Sequence, residues 1–270
     1  MTVPMRTSVL MATLAAPGWD RFVPDLLGQT CPADEIIVVV DRPTDASEQA
    51  ALRAVHPRLH FLFNEANLGL TCALNRGLHA ASGDIVFRTD DDDRSAPDRF
   101  ERQLALFADG ADLAFSWAEG VRDVPNATPW LIRHAETDAG IRRALLGRNM
   151  LVHASLAFRR EAVLAIGGYD ETFRYAQDYA LYLAAMRAGL RFAAVPAPLV
   201  YRVYPETSIT VARRYHQLMY SCAARLVHAA HSGDRLDFLG VVTRYALLAA
   251  IPAWLRRWRR ALFQQLGRGA

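Results

Sequence analysis

The chain has 270 residues, of which 52% are hydrophobic and 22% are charged, and its mean hydropathy is +0.04. These values are typical of a globular protein with a sizeable core, and they exclude a disordered, fibrous or small disulfide-stapled protein. The net charge of +3 is unevenly distributed, because residues 1–200 contain 20 Arg and 25 acidic residues whereas residues 201–270 contain 11 Arg and 3 acidic residues. Such a basic tail does not by itself indicate nucleic acid, and we expect no nucleic-acid partner.

Three features bear on the cellular compartment. Cys31, Cys72 and Cys222 are odd in number, far apart and without CxxC spacing, which argues against disulfides or a zinc site and favours the reducing cytoplasm. Residues 6–16 have a faint signal-peptide character, but a buried first strand with an exit loop at Pro17 explains them better. No apolar run reaches the ~20 residues that a membrane-spanning helix needs.

Short β-branched runs alternate with amphipathic segments over the first 120 residues. This pattern predicts strands at 7–13, 35–40, 59–63, 84–88 and 111–117. It predicts helices at 19–27, 47–55, 70–80 and 97–107. The alternation is typical of an α/β fold with a mostly parallel sheet and helices on both faces. Ligands of such sheets bind beyond the carboxyl ends of the strands, which here are followed by Asp41, by Asn64 and Asn67, and by residues 90–93.

Beyond residue 120 the alternation is less regular. We predict a loop around Pro125 and Pro129, a helix at 138–146, a strand at 151–158, a helix at 175–188, and a strand pair at 192–195 and 199–204. From residue 211 the chain is predicted to be helical and is strongly basic. We therefore divide the chain into residues 1–120, residues 121–210 of the same domain, and a helical basic extension, residues 211–270.

Four consecutive aspartates, Asp90 to Asp93, stand at the predicted end of the fourth strand. Adjacent carboxylates repel one another by about 1 kcal/mol or more per close pair unless a cation or solvent offsets the repulsion. Oxygen ligands of this kind favour Mg²⁺ or Mn²⁺. The alternative is a solvated acidic turn before the helix near Pro97, since negative charge suits a helix N-terminus.

Further motifs accompany the acidic run in a fixed order: SVLMAT at 8–13, QTCP at 29–32, EIIVVVD at 35–41, NLGL at 67–70, ALNRG at 73–77, RTDDDD at 88–93, PDR at 97–99, FRR at 158–160, GGYDE at 167–171, AQDY at 176–179 and YR at 201–202. Over residues 7–205 the sequence thus resembles family 2 glycosyltransferases of the GT-A fold. The resemblance implies a Rossmann-like sheet. It also implies transfer of a sugar from a nucleoside-diphosphate sugar to an acceptor hydroxyl with inversion, in surface polysaccharide or glycolipid synthesis.

The resemblance assigns roles to residues on the donor side. Asp41 would bind the nucleobase, and Asp90, Asp91 and Asp92 correspond to the DxD motif, with Asp90 near the ribose and Asp92 on Mn²⁺ or Mg²⁺. A metal that bridges the diphosphate neutralises the charge developing on the leaving group. The remaining expected nucleotide-sugar contacts are Thr13, Asn67, Arg76 and Arg88.

Asp178 is the expected general base, because an inverting displacement needs a carboxylate that takes the proton of the acceptor hydroxyl. The family has an acidic pair at this point, and here its first member is replaced by Gln177. Capping of the predicted helix is the alternative role for Asp178. Asp170 is the second choice for the base, and its alternative role is in a turn after Gly167 and Gly168.

Two more residues, His153 and Tyr169, correspond to acceptor-side positions, although a lone histidine beside an apolar strand is often structural. Tyr204 stands where many relatives have a histidine that completes the metal shell, so we expect weaker metal binding. Because Gln177 and Tyr204 depart from the family pattern, an alternative function stays open. In this alternative the chain is a non-catalytic relative that binds nucleotide or glycan and acts as an assembly partner. A sugar-nucleotide pyrophosphorylase is disfavoured because no Gly-rich basic loop follows the first strand.

The C-terminal segment 241–260 combines an apolar run with two Trp and with Arg256, Arg257, Arg259 and Arg260. This composition suits the interface of an anionic bilayer. We therefore predict peripheral attachment to the cytoplasmic face of the inner membrane, beside a saccharide or lipid-linked saccharide acceptor. Packing on the domain or at a dimer interface is the alternative.

Overall fold

The computed structural model describes residues 5–21, 23–204, 214–233 and 235–250, and within these residues nine strands form one sheet. The strands of the first part are β1 (Thr7–Thr13), β2 (Glu35–Val40), β3 (Leu59–Phe63) and β4 (Ile85–Thr89). The helices of this part are α1 (Val23–Leu27), α2 (Ala46–Arg53), α3 (Leu70–Ala80) and α4 (Arg99–Ala108). Strand β1 lies between β2 and β4, and β2 pairs with β3, all in parallel. The predicted βαβ alternation is confirmed here.

Alternate residues of the central strands belong to two apolar layers, one on each face of the sheet. Val9 and Met11 of β1 share a buried cluster with residues of α1, α2 and α4, whereas Leu10 shares one with residues of α3. The reason is that successive strand side chains point to opposite faces. Helix α3 comes close to the sheet at Gly77, where a Cβ would overlap Leu10 Cδ1 and lie 3.0 Å from Val39 Cγ2. Helices therefore cover both faces, as predicted.

The second half of the chain extends the sheet with mixed pairing. Its strands are β5 (Asp93–Ser95), β6 (Leu113–Arg122), β7 (Trp130–Ile132), β8 (Ala157–Arg159) and β9 (Phe192–Tyr204). Its helices are α5 (Asp138–Gly147), α6 (Arg160–Ala165), α7 (Gln177–Arg187), α8 (Arg214–Ser232) and α9 (Arg235–Ala250). The strand order is β3-β2-β1-β4-β8-β6-β9-β5, with β7 beside β6. Strand β8 is antiparallel to β4 and β6, whereas β6 and β9 are parallel.

Two predicted strands differ from the structure. Residues 151–158 contain a short 3₁₀ helix (His153–Ser155) before β8, because the N–H and the hydroxyl of Ser155 both bond back to Val152 O, at 2.9 and 2.8 Å. The predicted pair at 192–204 is one strand, β9, whose register with β6 shifts near Pro196 and Pro198. Proline has no N–H to donate to the ladder. The sequence pattern also missed β5, β7 and α6, which have at most 6 residues each.

Helices α8 and α9 end the described part of the chain. Ala224 and Ala229 of α8 are buried, and the ring of Tyr220 lies edge-on to Phe173 with centroids 6.0 Å apart. The two helices cover 214–232 and 235–250 of the predicted extension, whereas the boundary at residue 211 and the basic cluster at 256–260 fall outside the described residues. Among the helices that the structure describes, none combines the length and the hydrophobicity that crossing a bilayer requires.

Candidate active site

Three predicted site residues meet at one edge of the sheet. Thr13 ends β1, Asp41 follows β2 directly, and Asp90 follows β4 directly. Because these strands are parallel neighbours, their carboxyl ends lie side by side. Thr13 Oγ1 donates a hydrogen bond of 2.5 Å to Asp91 Oδ2, which joins the ends of β1 and β4 directly. The sheet topology therefore brings Thr13, Asp41 and the acidic run together.

Asp41 organises the loop between β3 and α3. Its carboxylate accepts hydrogen bonds from Asn64 Nδ2 at 2.6 Å and from the backbone N–H groups of Leu68 and Gly69 at 2.9 and 2.8 Å. Asp41 itself is only 4% exposed. The carboxylate at the predicted nucleobase position thus fixes the loop that borders it.

Two other predicted donor-side residues border the same loop. Arg76 of α3 donates to Phe63 O at 2.7 Å and to Asn64 Oδ1, so Asn64 links Arg76 to Asp41. Asn67 is exposed on the loop. Sequence reasoning placed Asn64 at a strand end but did not select it as a site residue, because an asparagine after a strand is an ordinary loop residue.

The four aspartates separate into a cluster of three and a single residue. Carboxylate oxygens of Asp90, Asp92 and Asp93 lie within 4.8 Å of one another, whereas Asp91 accepts from Thr13. Asp93 begins β5, which pairs with β9. The cluster thus includes Asp93, which the DxD assignment left out although the run of four was visible in the sequence.

Three arginines support this cluster, and two of them, Arg88 and Arg99, are buried. Arg88 is 2% exposed and pairs with Asp90 through both terminal nitrogens, one of them at 2.6 Å. Arg202 Nε lies 3.2 Å from Asp93 Oδ2, in a pair that the β5–β9 register sets. Arg99 is fully buried and donates to Arg88 O at 2.7 Å. Arg88, a predicted nucleotide contact, therefore lies beneath Asp90 and holds its carboxylate.

The negatively charged forms of Asp92 and Asp93 are disfavoured in the folded protein. Burial and the charge of Asp90 raise the pKa of Asp93 to about 7, against the opposing effect of Arg202. Burial, with the charges of Asp90 and Asp91, also raises the pKa of Asp92. A raised carboxyl pKa means that the charged form is disfavoured at that place. Oxygen donors in this arrangement fit a hard divalent cation such as Mg²⁺ or Mn²⁺, whose charge would relieve the repulsion.

Asp178 occupies a half-buried position at the start of α7. Asn149 Nδ2 donates to its Oδ2 at 2.7 Å, and the N–H of Tyr179 donates to its Oδ1 at 2.8 Å. Burial raises the pKa of this carboxyl. Ala176, just before the helix, has a φ of +52°, a left-handed conformation that costs a residue with a Cβ about 1–2 kcal/mol. This strained turn sets the direction in which α7 begins, and so the position of Asp178.

The buried side chain of Tyr169 is influenced by the charges of both Asp178 and Asp90. Tyr169 Oη lies 2.9 Å from His153 Nε2. Burial raises the pKa of Tyr169 and Arg88 opposes this, while the charges of Asp178 and Asp90 add to the rise. Both carboxylates therefore act on the same hydroxyl. Burial and the charge of Arg88 hold the pKa of His153 well below its usual value, so this ring is neutral.

Asp170 has the geometry of a turn residue. It is exposed, and its Oδ1 accepts from the N–H of Thr172 at 2.9 Å and from the Thr172 hydroxyl at 2.6 Å. This is the side-chain turn that aspartate commonly forms with a residue two positions ahead. The turn role considered for Asp170 accordingly has a direct structural basis.

Tyr204 and Asn149 add two interactions that local sequence did not predict. Arg202 Nη1 donates to Tyr204 Oη at 3.1 Å, so the tyrosine at the expected histidine position contacts the arginine that pairs with Asp93. Asn149 belongs to none of the motifs, and its contact with Asp178 joins residues 29 positions apart. Only the folded chain identifies this asparagine as part of the site.

Residues 13–167, more than half of the chain, match the sequence model of the family described as Glycosyl transferase family 2. The chain belongs to glycosyltransferase family 2. The chain is 32% identical over 178 residues to the amylovoran biosynthesis glycosyltransferase AmsE of Erwinia amylovora, covering 64% of this chain and 65% of AmsE. It is 28% identical over 164 residues to the UDP-Gal:alpha-D-GlcNAc-diphosphoundecaprenol beta-1,3-galactosyltransferase of Escherichia coli, covering 59% of each. The matched segment spans less than two thirds of either relative's length.

Solved structures show the same fold at lower identity. The mannosyltransferase PcManGT of Pyrobaculum calidifontis, in complex with GDP-Man and Mn²⁺, is similar with a TM-score of 0.61 and 20% identity, over 95% of this chain and 84% of that one. Residues 1–349 of S. aureus TarS, in complex with UDP-GlcNAc, give a TM-score of 0.63 and 18% identity, over 82% of this chain and 66% of that one. This member of family 2 therefore has the predicted GT-A fold.

Proposed function

We propose that this chain transfers a sugar from a nucleoside-diphosphate sugar to an acceptor hydroxyl with inversion at the anomeric carbon. The observation that carries the proposal is the cluster of Asp90, Asp92 and Asp93 at the carboxyl end of β4, in a chain of family 2. A leaving nucleoside diphosphate is a strong anion, so a site for its transfer needs compensating positive charge. The clustered carboxylates are suited to hold that charge as a divalent cation.

On the donor side, Asp92 would hold Mn²⁺ or Mg²⁺ together with Asp90 and Asp93. Such an ion, when bound, supplies Lewis-acid stabilisation of the diphosphate. The nucleotide would lie along the strand ends, with Asp41 toward the base and Asp90 toward the ribose. The other proposed contacts are Thr13, Asn67, Arg76 and Asp91, whereas the predicted contact Arg88 is buried and would act through Asp90. The roles of Asp41 and Arg88 include holding the loop and the carboxylate that border the donor.

On the acceptor side, Asp178 would take the proton of the attacking hydroxyl. Its raised pKa supports this role, because a base is most effective when its pKa lies nearer the working pH. Tyr169 and His153 would border the acceptor beside it, and Asp170 would shape the neighbouring turn. Residues 1–120 thus bind the donor and residues 121–210 bind the acceptor and supply the base.

We propose a saccharide or lipid-linked saccharide as the acceptor, used in surface polysaccharide or glycolipid synthesis at the cytoplasmic face of the inner membrane. Two relatives support this class: AmsE is named for amylovoran biosynthesis, and the E. coli relative is named for a diphosphoundecaprenol substrate. Acceptor pockets are built from loops, so the fold does not determine the acceptor.

Thermal unfolding in the presence of nucleoside diphosphates tests the proposed function. UDP, dTDP, GDP, CDP and ADP are each added with and without Mn²⁺, with Mn²⁺ alone as the control. A ligand at 100 times its dissociation constant stabilises the folded protein by about 2.7 kcal/mol. We expect a Mn²⁺-dependent rise in Tm with one of the five. If none raises the Tm, the non-catalytic assembly partner becomes the better explanation of this chain.

Replacing Asn149 by Ala tests the proposed base through pH. The Asn149 amide donates to the ionised carboxylate of Asp178, so its loss raises the pKa of Asp178 further. Because the base works only when ionised, we expect the acid limb of the kcat/KM profile to move to higher pH. The rate deficit should then shrink as the pH rises. A rate lowered equally at every pH would assign Asn149 a purely structural role.

A further inference from the structure

Helix α9 exposes one apolar half of its surface. Phe238, Leu239, Val242 and Leu247 are 38%, 59%, 43% and 62% exposed, and Ala246 is exposed between them. At 100° per residue these five side chains fall within one half-turn of the helix, which also contains the exposed Thr243. We call this surface the α9 apolar face. Scattered apolar side chains are ordinary on a surface, but a continuous apolar face marks an interaction site.

The opposite side of α9 is fixed to the rest of the protein. Arg225 of α8 donates from Nε to Leu146 O at 2.9 Å and from Nη2 to Asp237 Oδ1 at 2.7 Å. Val241 on the same side of α9 is 5% exposed. This arginine therefore ties both helices to the end of α5. The α9 apolar face is held outward by these contacts.

Two exposed arginines lie on or beside α9. Arg244 is exposed on α9 and lies beside Gly147, and Arg148 is exposed next to that glycine. Residues 201–270 carry 11 Arg and 3 acidic residues, a net charge of +8. In the sequence, the segment directly after α9 contains four of these arginines and two tryptophans, at 254–260.

We propose that the α9 apolar face docks on the surface of an anionic lipid bilayer. A second copy of the chain would double the arginines that follow α9 in the sequence, at 256–260, and like charges oppose such a contact. Anionic headgroups instead attract arginine near a membrane surface, and tryptophan is enriched at headgroup level. A cleft of about 220 Å³ between α8 and α9, lined by Met219, Cys222 and Tyr245 among others, continues the apolar area.

Docking by this face has a consequence for the active site, and this consequence alone rests on the proposed function. Arg244 lies beside Gly147 at the end of α5, and Asn149, two residues later, donates to Asp178. Helix α9 thus contacts the end of α5, next to the segment whose Asn149 holds the proposed base. Docking through α9 would therefore fix the half of the protein that carries the proposed base relative to the bilayer.

Vesicle flotation of the full chain tests the docking surface. The vesicles are phosphatidylcholine alone or phosphatidylcholine mixed with phosphatidylglycerol, without nucleotide. We expect at least about tenfold stronger partition onto the anionic vesicles, reduced by high salt. Val242→Asp should lower this partition at least about fivefold, and Leu239→Asp combined with Leu247→Asp should lower it further. Val55→Asp is the matched control, because Val55 is 40% exposed after α2 on the other face of the sheet, and it should bind as wild type.

Three outcomes overturn the docking proposal. They are equal partition onto neutral and anionic vesicles, unchanged binding by Val242→Asp with wild-type Tm, and a dimer in sedimentation equilibrium that Val242→Asp dissociates. The last would assign the face to a second copy. The assay is independent of catalysis. Vesicle binding without any nucleotide-induced Tm shift would support docking and contradict the proposed function. A nucleotide-induced Tm shift without vesicle binding would support the proposed function and contradict docking.

Discussion

Asp178→Asn is expected to lower kcat by about 10²–10⁴ while leaving the KM for the donor unchanged. The amide has the shape of the carboxylate and still accepts from Asn149, but it does not take a proton from the acceptor hydroxyl. Burial raises the pKa of Asp178, so its charge is already disfavoured in the fold. Loss of that charge offsets the loss of one of the two hydrogen bonds that the carboxylate accepts, so the Tm should change little while the initial rate falls.

Asp170→Asn is the matched control for this experiment. Asp170 is exposed and bonds to Thr172 in a turn, so we expect activity within about twofold of wild type, as for most surface substitutions. The two variants also separate the first and second choices for the base. A large loss in Asp170→Asn together with a near-normal rate in Asp178→Asn would assign the base to Asp170.

Asp92→Asn is expected to abolish the Mn²⁺-dependent Tm shift caused by the nucleoside diphosphate and to lower kcat/KM at least about 100-fold. In the absence of ligand, the Tm of this variant should equal or exceed that of wild type. The sign follows from linkage: the folded-state pKa of Asp92 is raised, so at neutral pH the ionised carboxyl destabilises the fold relative to the unfolded chain. Stability and ligand response should thus change in opposite directions.

Asp98→Asn is the control for Asp92. Asp98 makes one surface pair with Arg102, at 3.4 Å, on the helix that follows the acidic run, and such pairs contribute about 0–1 kcal/mol. We expect normal turnover and a normal Mn²⁺-dependent shift. If Asp92→Asn keeps the shift, the metal-binding role of the acidic cluster is wrong. If both variants lose it, the loss reflects net charge and not a metal ligand.

The sequence by itself determined the N-terminal half of the sheet. Strands β1, β2 and β3 and helix α3 have the predicted bounds, because buried parallel strands are short continuous apolar runs separated by turn residues. The same reasoning placed Asp41 and Asp90 at the carboxyl ends of β2 and β4, the two strands that flank β1. It was wrong at residues 151–158 and across β9, where backbone bonding at Ser155 and two prolines change the local structure.

Only the tertiary structure decided how the site is supported. Arg202 meets Asp93 across 109 positions because β5 pairs with β9 in one register, and Asn149 meets Asp178 because α5 ends beside the start of α7. The side of α9 that stays exposed likewise depends on the contact of Arg225 with Leu146. A local pattern specifies which residues a strand or helix contains, whereas such partners are set by the order in which distant elements pack.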